Sequence, residues 1–263
     1  MSLIPISPAA EAIAPFLESM RQAALTSGTD KISRHRYDQV YGRALATYVN
    51  VGPFAMLEIG YGEGCGLEFW HSLFPQLFCY CLDRDHGDWS NSNSCVLRVD
   101  QSNPDDLERA LAAVQHPIAL IVDDGSHHPD HQLLSFSMLF QHLLQPGGLY
   151  IIEDVETSYW RRGDVYGYEL RYGLENRHSA VEAFKRLADA VNRRFLDSVD
   201  LNWVEASLLD GGIDPAAASM VETIGFGRNA ILITKRIDSL ATPELPPYPQ
   251  LHRTSRCSAL VHR

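Results

Sequence analysis

Residues 55–66 read Ala55-Met56-Leu57-Glu58-Ile59-Gly60-Tyr61-Gly62-Glu63-Gly64-Cys65-Gly66, an apolar run that breaks into alternating glycines. A strand that ends this way turns sharply and brings bare backbone up to whatever lies beyond it. Outward from this loop, short apolar runs alternate with longer helical stretches, the pattern of strands buried on both faces and joined by crossover helices. Strands are expected at Ala55–Ile59, Phe78–Leu82, Cys95–Val99, Ile118–Val122 and Leu149–Ile152, then at Met220–Gly225 and Ala230–Thr234. The last two flank Phe226-Gly227-Arg228-Asn229 and read as an antiparallel hairpin. Helices are expected near Gly66–Leu73, Pro104–Val114, Pro129–Leu144 and Ala180–Arg194, the third stopped by Pro146-Gly147-Gly148. This is an α/β pattern: a doubly wound sheet whose ligands bind at the carboxyl ends of the strands.

Residues 1–52 are expected to form an N-terminal helical cap, with helices at 5–26 and 37–50. Ala9, Ile13, Phe16, Leu17, Met20 and Ala24 stand at helical spacing in the first, where a kink is expected at Pro15. Residues 53–236 form the core, and 237–263, with Pro243, Pro246, Pro247 and Pro249, an extended tail. An insertion at 155–178 carries Tyr159, Trp160, Tyr166, Tyr168 and Tyr172 among Arg161, Arg162 and Arg171. Following directly on the fifth strand, it is either part of a binding site or an aromatic-rich surface insertion.

The 263 residues are 45% apolar, enough to bury a core without disulfide staples. The five cysteines, Cys65, Cys79, Cys81, Cys95 and Cys257, are odd in number and lack Cys-x-x-Cys pairing, which argues against a disulfide framework or structural zinc. A reducing, cytoplasmic compartment fits. Thirty-three acidic against 22 basic residues give a net charge of −11, which disfavours nucleic acid or an anionic membrane as partner. No apolar run approaches the ~20 residues of a membrane span, and Met1–Met20 lacks the basic start of a secretory signal. The expected partner is a small molecule, neutral or cationic.

A dinucleotide fingerprint needs glycine at positions one, three and six, but the sixth position is Cys65 counted from Gly60 and Leu67 counted from Gly62. Glu58 at the strand end repels phosphates and suits a cationic ligand, such as the amino group or sulfonium of S-adenosylmethionine. Gly60, Gly62 and Gly64 would supply backbone around that donor. Asp83, ending the second strand, is in register for ribose hydroxyls or is a solvated turn residue. Asp100 and Gln101 either meet the adenosine or cap the helix that starts near Asp105. Asp123, ending the fourth strand, completes the donor side.

The fourth strand runs into Asp123-Asp124-Gly125-Ser126-His127-His128 and the fifth into Glu153-Asp154. Four acids on two adjacent strand ends repel one another unless a cation intervenes, and an all-oxygen set selects a hard divalent metal such as magnesium. Asp124, Glu153 and Asp154 are the expected ligands. Because successive strand side chains oppose each other, Glu153 and Asp154 share one ion only if the strand has already bent there. The plain alternative is a turn at Asp124-Gly125 with Ser126 capping a helix. His127 is the leading base candidate, since imidazole titrates near neutrality, with His128 and His131 as local competitors.

Together the stretch from Leu57 to Trp70, Phe74-Pro75, Val99-Asp100-Gln101-Ser102, Asp123 to His127, His131-Gln132, Ser135-Phe136, Leu139-Phe140, Pro146 to Tyr150, Ile152-Glu153-Asp154 and Thr157 to Trp160 resembles the metal-dependent class I sugar O-methyltransferases of macrolide and related antibiotic pathways. The pattern is similar to the mycinamicin 2''-O-methyltransferase type. Gly28-Thr29-Asp30-Lys31, His35, Tyr37 and Tyr41 resemble the segment that leads into that family's core. The resemblance is dense over residues 28–160 and looser to Lys235. It implies a Rossmann-like sheet of seven strands with the last antiparallel, behind an N-terminal helical cap. It also implies magnesium on Asp124, Glu153 and Asp154, His127 as general base, and Glu58, Gly60, Asp83, Asp100 and Gln101 around the methyl donor. The departures are Cys65-Gly66, where the family usually has Gly-Ser, and Arg84-Asp85, where an apolar residue is usual.

The expected activity is methyl transfer from S-adenosylmethionine to a hydroxyl, on a deoxysugar of a glycosylated natural product, in an enzyme whose relatives are often homo-oligomeric. Two alternatives are a metal-dependent catechol or phenol O-methyltransferase and a non-catalytic donor-binding domain.

Overall fold

The computed structural model describes residues 8–237, with side chains from Ile13 onward. Cys257 and the tail expected beyond Ile237 lie outside the described residues, as do residues 1–7. Three helices come first, α1 (Pro8–Ser27), α2 (Asp30–Ser33) and α3 (Asp38–Leu45). The core then alternates β1 (Phe54–Ile59), α4 (Cys65–Leu73), β2 (Leu77–Asp83), β3 (Trp89–Ser90), β4 (Ser94–Arg98), α5 (Pro104–Ala113), β5 (Ile118–Asp123), α6 (Pro129–Ser135) and β6 (Leu144–Glu153).

The sheet order is β3-β4-β2-β1-β5-β6-β10-β9, where β9 (Val221–Gly227) and β10 (Ala230–Lys235) form the expected hairpin. β10 runs antiparallel to β6, whereas β4, β2, β1, β5 and β6 pair in parallel. Strand order therefore reverses direction at β1, whose carboxyl end and that of β5 form the crevice where such sheets bind ligands. All seven expected strands are present. The eighth, β3, is a two-residue antiparallel edge strand on β4, too short to leave a periodic signal.

Alternation along β1 divides the interior in two. Ala55, Leu57 and Ile59 face a core with α5, α6 and Phe184, while Met56 faces a second core with Phe69, Trp70, Tyr37 and Tyr41. The N-terminal helices thus pack on α4 and one face of the sheet. Asp38, buried and bonded by Arg21 and Arg36, fixes the start of α3 against α1.

Three local expectations need correction. Pro146-Gly147-Gly148 lies inside β6: Ile118 pairs with Leu144 and Leu120 with Leu149, so the extra residues bulge out of the ladder. The helix expected to Leu144 continues past α6 as a π-helical stretch, Phe136–Phe140. The helix expected over 180–194 breaks into α7 (Ala180–Lys185) and α8 (Leu187–Val191), and is followed by α9 (Ser198–Asp210) and α10 (Pro215–Ser219). α9 buries Val204 and Leu208 but exposes Val199, Trp203 and Leu209, so its apolar residues trace no single stripe. The insertion contributes a small hairpin, β7 (Gly163–Val165) and β8 (Tyr168–Leu170). Among the described residues, no helix is long and apolar enough to cross a membrane.

Candidate active site

The glycine loop lies directly against the acidic tip of β5. Gly60 has φ +99°, and a Cβ there would collide with the Asp124 carbonyl oxygen, so only glycine lets the loop close on that strand end. Gly64, at φ +83°, is the N-cap of α4. Ile59, Gly60, Gly62, Asp83, Asp100, Gln101, Asp124 and Ser126 line one cavity, and Tyr166 and Tyr168 of the insertion close its outer side. A second cavity shares Gly60, Gly62, Asp124 and Tyr166 and extends to Glu58, Gly66, His127, Asp154 and Trp160.

Glu58 is buried at the wall of this second cavity. Its Oε1 accepts from Trp70 Nε1 at 2.8 Å and pairs with Lys31, while Oε2 is buried without a partner. A Cβ on Gly66 would stand 2.8 Å from Oε2, so glycine at this position keeps the space around that oxygen open. Burial raises the Glu58 carboxyl above its usual range, against the pull of Lys31. An unsatisfied buried carboxylate oxygen is the group a donor's ammonium would complete.

Asp83 acts on the loop itself. Its Oδ2 accepts from the backbone N–H of Tyr61 and Gly62, and its Oδ1 from Asp85 and His86. Burial opposes its charge, but these four donors outweigh burial and draw the carboxyl down to about 2. A carboxyl depressed by folding contributes stability above its ordinary value of 3.8 that is lost as pH falls towards 2. Asp83→Asn is therefore expected to lower unfolding free energy by up to about 2 kcal/mol at pH 6, with the gap narrowing below pH 3.8 and closing only as pH falls to about 2, measured by urea titration. Asp123 lies beneath the cavity floor. Its carboxylate accepts from Gln101 Nε2 at 2.8 and 2.9 Å, and burial pushes it up to about 7 against that bond. Gln101 Oε1 in turn accepts from Ser126 N–H, tying the end of β5 to the residue after Asp100.

The acids beyond β5 and β6 meet. β6 ends at Glu153, and Asp154 takes φ +52°, so the chain bends where the two carboxylates would otherwise point apart. Lys31, buried and arriving from α2, sets its Nζ 2.5 Å from Asp124 Oδ2 and 2.9 Å from Glu153 Oε1. Glu153 Oε1 also accepts from Tyr41 Oη. Asp154 Oδ1 accepts from Tyr37 Oη at 2.5 Å and Asn229 Nδ2 at 2.8 Å, and His35 Nδ1 is 3.0 Å away. Burial works against the Lys31 charge, yet Asp124, Glu153 and Glu58 together hold its pKa well above the usual lysine value. Burial raises Glu153 most strongly among its influences, with Asp124 adding to it.

With these oxygens engaged, the remaining ones face outward. His127 Nε2 is 4.0 Å from Asp124 Oδ1 and 3.7 Å from Asp154 Oδ2, and one ligand atom from each of the three residues lies within 4.8 Å of the others. Two carboxylates and an imidazole at that spacing suit a divalent cation. Glu153 lies behind, on Lys31 and Tyr41. The histidine competitors separate here. His128 and His131 stack at 4.5 Å and face Tyr168, with burial and His128 pushing His131 down to about 4. His127 alone of the three faces the acids, with Tyr166 5.7 Å from its ring. Sequence reasoning assigned no role to Lys31 or Asn229. Their partners lie tens of residues away, and the one local signal was a lysine beside the His35–Tyr41 aromatic segment.

No protein-family model matches the chain. It is 34% identical over 177 residues to the 8-demethyl-8-alpha-L-rhamnosyl tetracenomycin-C 2'-O-methyltransferase of Streptomyces olivaceus, covering 64% of this chain and 44% of that protein. It is 36% identical over 134 residues to the mycinamicin VI 2''-O-methyltransferase of Micromonospora griseorubida, covering 48% of this chain and 33% of that protein. The chain thus spans less than half the length of these relatives. Among solved structures, MycE methyltransferase from the mycinamycin biosynthetic pathway, in complex with Mg and SAH, superposes with a TM-score of 0.68 at 25% identity, covering 84% of this chain and 55% of that one. Over its core, the chain is thus similar in sequence to these O-methyltransferases of glycosylated natural products, and it has the class I, Rossmann-like methyltransferase fold.

Proposed function

We propose that this chain transfers a methyl group from S-adenosylmethionine to a hydroxyl on a deoxysugar of a glycosylated natural product, with a hard divalent cation held by Asp124, Glu153 and Asp154. The observation that supports the reading is that Asp124 and Asp154, from neighbouring strand tips, bring carboxylate oxygens within 4.8 Å of each other and of His127, beside the glycine loop. The relatives named above act on glycosylated tetracenomycin and mycinamicin, and MycE carries Mg and SAH, which supports the same pairing of groups in this chain.

A bound dication supplies Lewis acidity that lowers the pKa of a neighbouring hydroxyl. The remaining work falls to this chain. Glu58 Oε2 accepts from the donor's ammonium, while the backbone at Gly60 and Gly62, with Asp83, Asp100 and Gln101, surrounds its adenosine. His127 Nε2 removes the acceptor proton, since it is the imidazole nitrogen facing the acids. Trp160 and Tyr166, both lining the cavity that holds His127, pack against the acceptor's faces and exclude water. Holding oxygen and methyl carbon in line supplies much of the rest of the rate. We place the protein in the cytoplasm, consistent with free thiols at Cys65, Cys79, Cys81 and Cys95.

Incubation with donor, magnesium and a panel of glycosylated polyketides tests the activity by mass spectrometry. The expected product is an acceptor heavier by one CH2 that fragments with the added mass on its sugar. Addition to the aglycone, or to simple catechols alone, contradicts the sugar assignment.

A further inference from the structure

Lys31 enters the cluster from outside the sheet and touches the ends of three strands at once. Its Nζ is 3.2 Å from Glu58 Oε1, 2.5 Å from Asp124 Oδ2 and 2.9 Å from Glu153 Oε1. The side chain is 2% exposed, with the Trp70 ring centroid 5.8 Å from Nζ and Tyr41 on the same Glu153 oxygen. A charge buried to this degree is stable only when oppositely charged partners surround it, and the partners depend on it equally. Glu58 is the proposed partner of the donor's ammonium, and Asp124 and Glu153 are proposed metal ligands, so one ammonium joins the two halves of the site.

We propose that Lys31 is a resident counter-ion of this carboxylate cage, holding Glu58, Asp124 and Glu153 together before a divalent cation binds and competing with that cation for Asp124 and Glu153. The competition rests on the reading of those carboxylates as a metal site; the holding role does not. Asp124 Oδ2 and Glu153 Oε1 already contact the ammonium, so a dication reaching for either must displace it or lie beside a like charge. Among the described residues of the cluster, Asp124 Oδ1 and Asp154 Oδ2, faced by His127, are the carboxylate oxygens open to an ion while Lys31 stays in place. A lysine that had merely filled space would leave metal affinity unchanged on replacement.

Lys31→Met keeps the stem and removes the charge. Titrated with Mn2+ by calorimetry and electron paramagnetic resonance, it is expected to bind the ion at least ~10-fold more tightly than the wild-type protein, about 1.4 kcal/mol. Without metal it is expected to melt roughly 10 °C lower, as when one partner of a buried ion pair is lost. Adding Glu58→Gln removes one of the stranded carboxylates, and Lys31→Met/Glu58→Gln is expected to regain about half of that loss while retaining the tighter Mn2+ binding. The double variant also carries the titration if the single variant does not fold. Mn2+ binding that is unchanged or weaker in both variants overturns the competition, and no recovery of melting temperature in the double variant overturns the holding role. If the wild-type protein binds no Mn2+ at all, the metal reading falls with it, and the melting series alone then decides whether Lys31 holds the cage.

Discussion

Asp124→Asn is expected to abolish methyl transfer and divalent-cation binding together while leaving the fold intact. The substitution keeps the shape of the side chain but replaces one oxygen with an N–H donor, and Asp124 is the residue on which both proposed functions of the cluster converge. Its Oδ2 contacts Lys31 and its Oδ1 faces His127, while its carbonyl lies against Gly60. Loss of Lewis-acid activation worth several kcal/mol corresponds to a rate at least ~1000-fold lower. Formation of S-adenosylhomocysteine reports the rate and Mn2+ titration reports the ion. Circular dichroism separates either loss from unfolding. A variant that turns over normally would remove Asp124 from the chemistry.

His127→Ala is expected to lower turnover at least ~100-fold while leaving affinity for S-adenosylhomocysteine unchanged, because a general base contributes to the barrier and not to donor binding. His127 sits at φ +54° just past the tip of β5, and its ring points back towards Asp124 and Asp154. His131 bonds to Ser126 Oγ at 2.8 Å and packs with His128 against Tyr168, on the other side of the turn. Steady-state rates of His127→Ala, His128→Ala and His131→Ala, compared under saturating metal, discriminate among the three. Near-wild-type turnover in the first would return the role to its neighbours or to solvent.

What sequence reading reached and what it missed divide along a physical line. Glu58, the glycines and the acids at 123–124 and 153–154 were legible because each follows a strand whose apolar run fixes where it ends, and parallel sheets gather their carboxyl ends on one edge. The sequence also left open whether Glu153 and Asp154 could share one ion: the bend at Asp154, which no periodicity encodes, groups Asp154 with Asp124 and His127 and leaves Glu153 on Lys31 and Tyr41. Lys31 reaches Asp124 across 93 residues of sequence and Glu153 across 122, contacts that only the packing of the N-terminal helices against the sheet creates. Tyr37 and Tyr41 are similar: their hydroxyls bond Asp154 and Glu153, and their rings stack at 5.5 Å beneath the acids. Asp83 illustrates a third case. It was read either as a ribose partner or as a turn residue; its bonds from Asp85 and His86 N–H make the turn, and those from Tyr61 and Gly62 N–H add a loop-organising role that neither reading anticipated. α9 escaped notice because a helix apolar on two sides has no stripe to read.

The most direct measurement is methyl transfer followed through removal and return of divalent metal, with binding of S-adenosylhomocysteine recorded in parallel by calorimetry. Carboxylates that gather a hard cation beside a separate donor pocket predict that excess chelator stops transfer, that magnesium restores it, and that the donor product binds with nearly unchanged affinity throughout. Undiminished turnover in excess chelator would contradict the account.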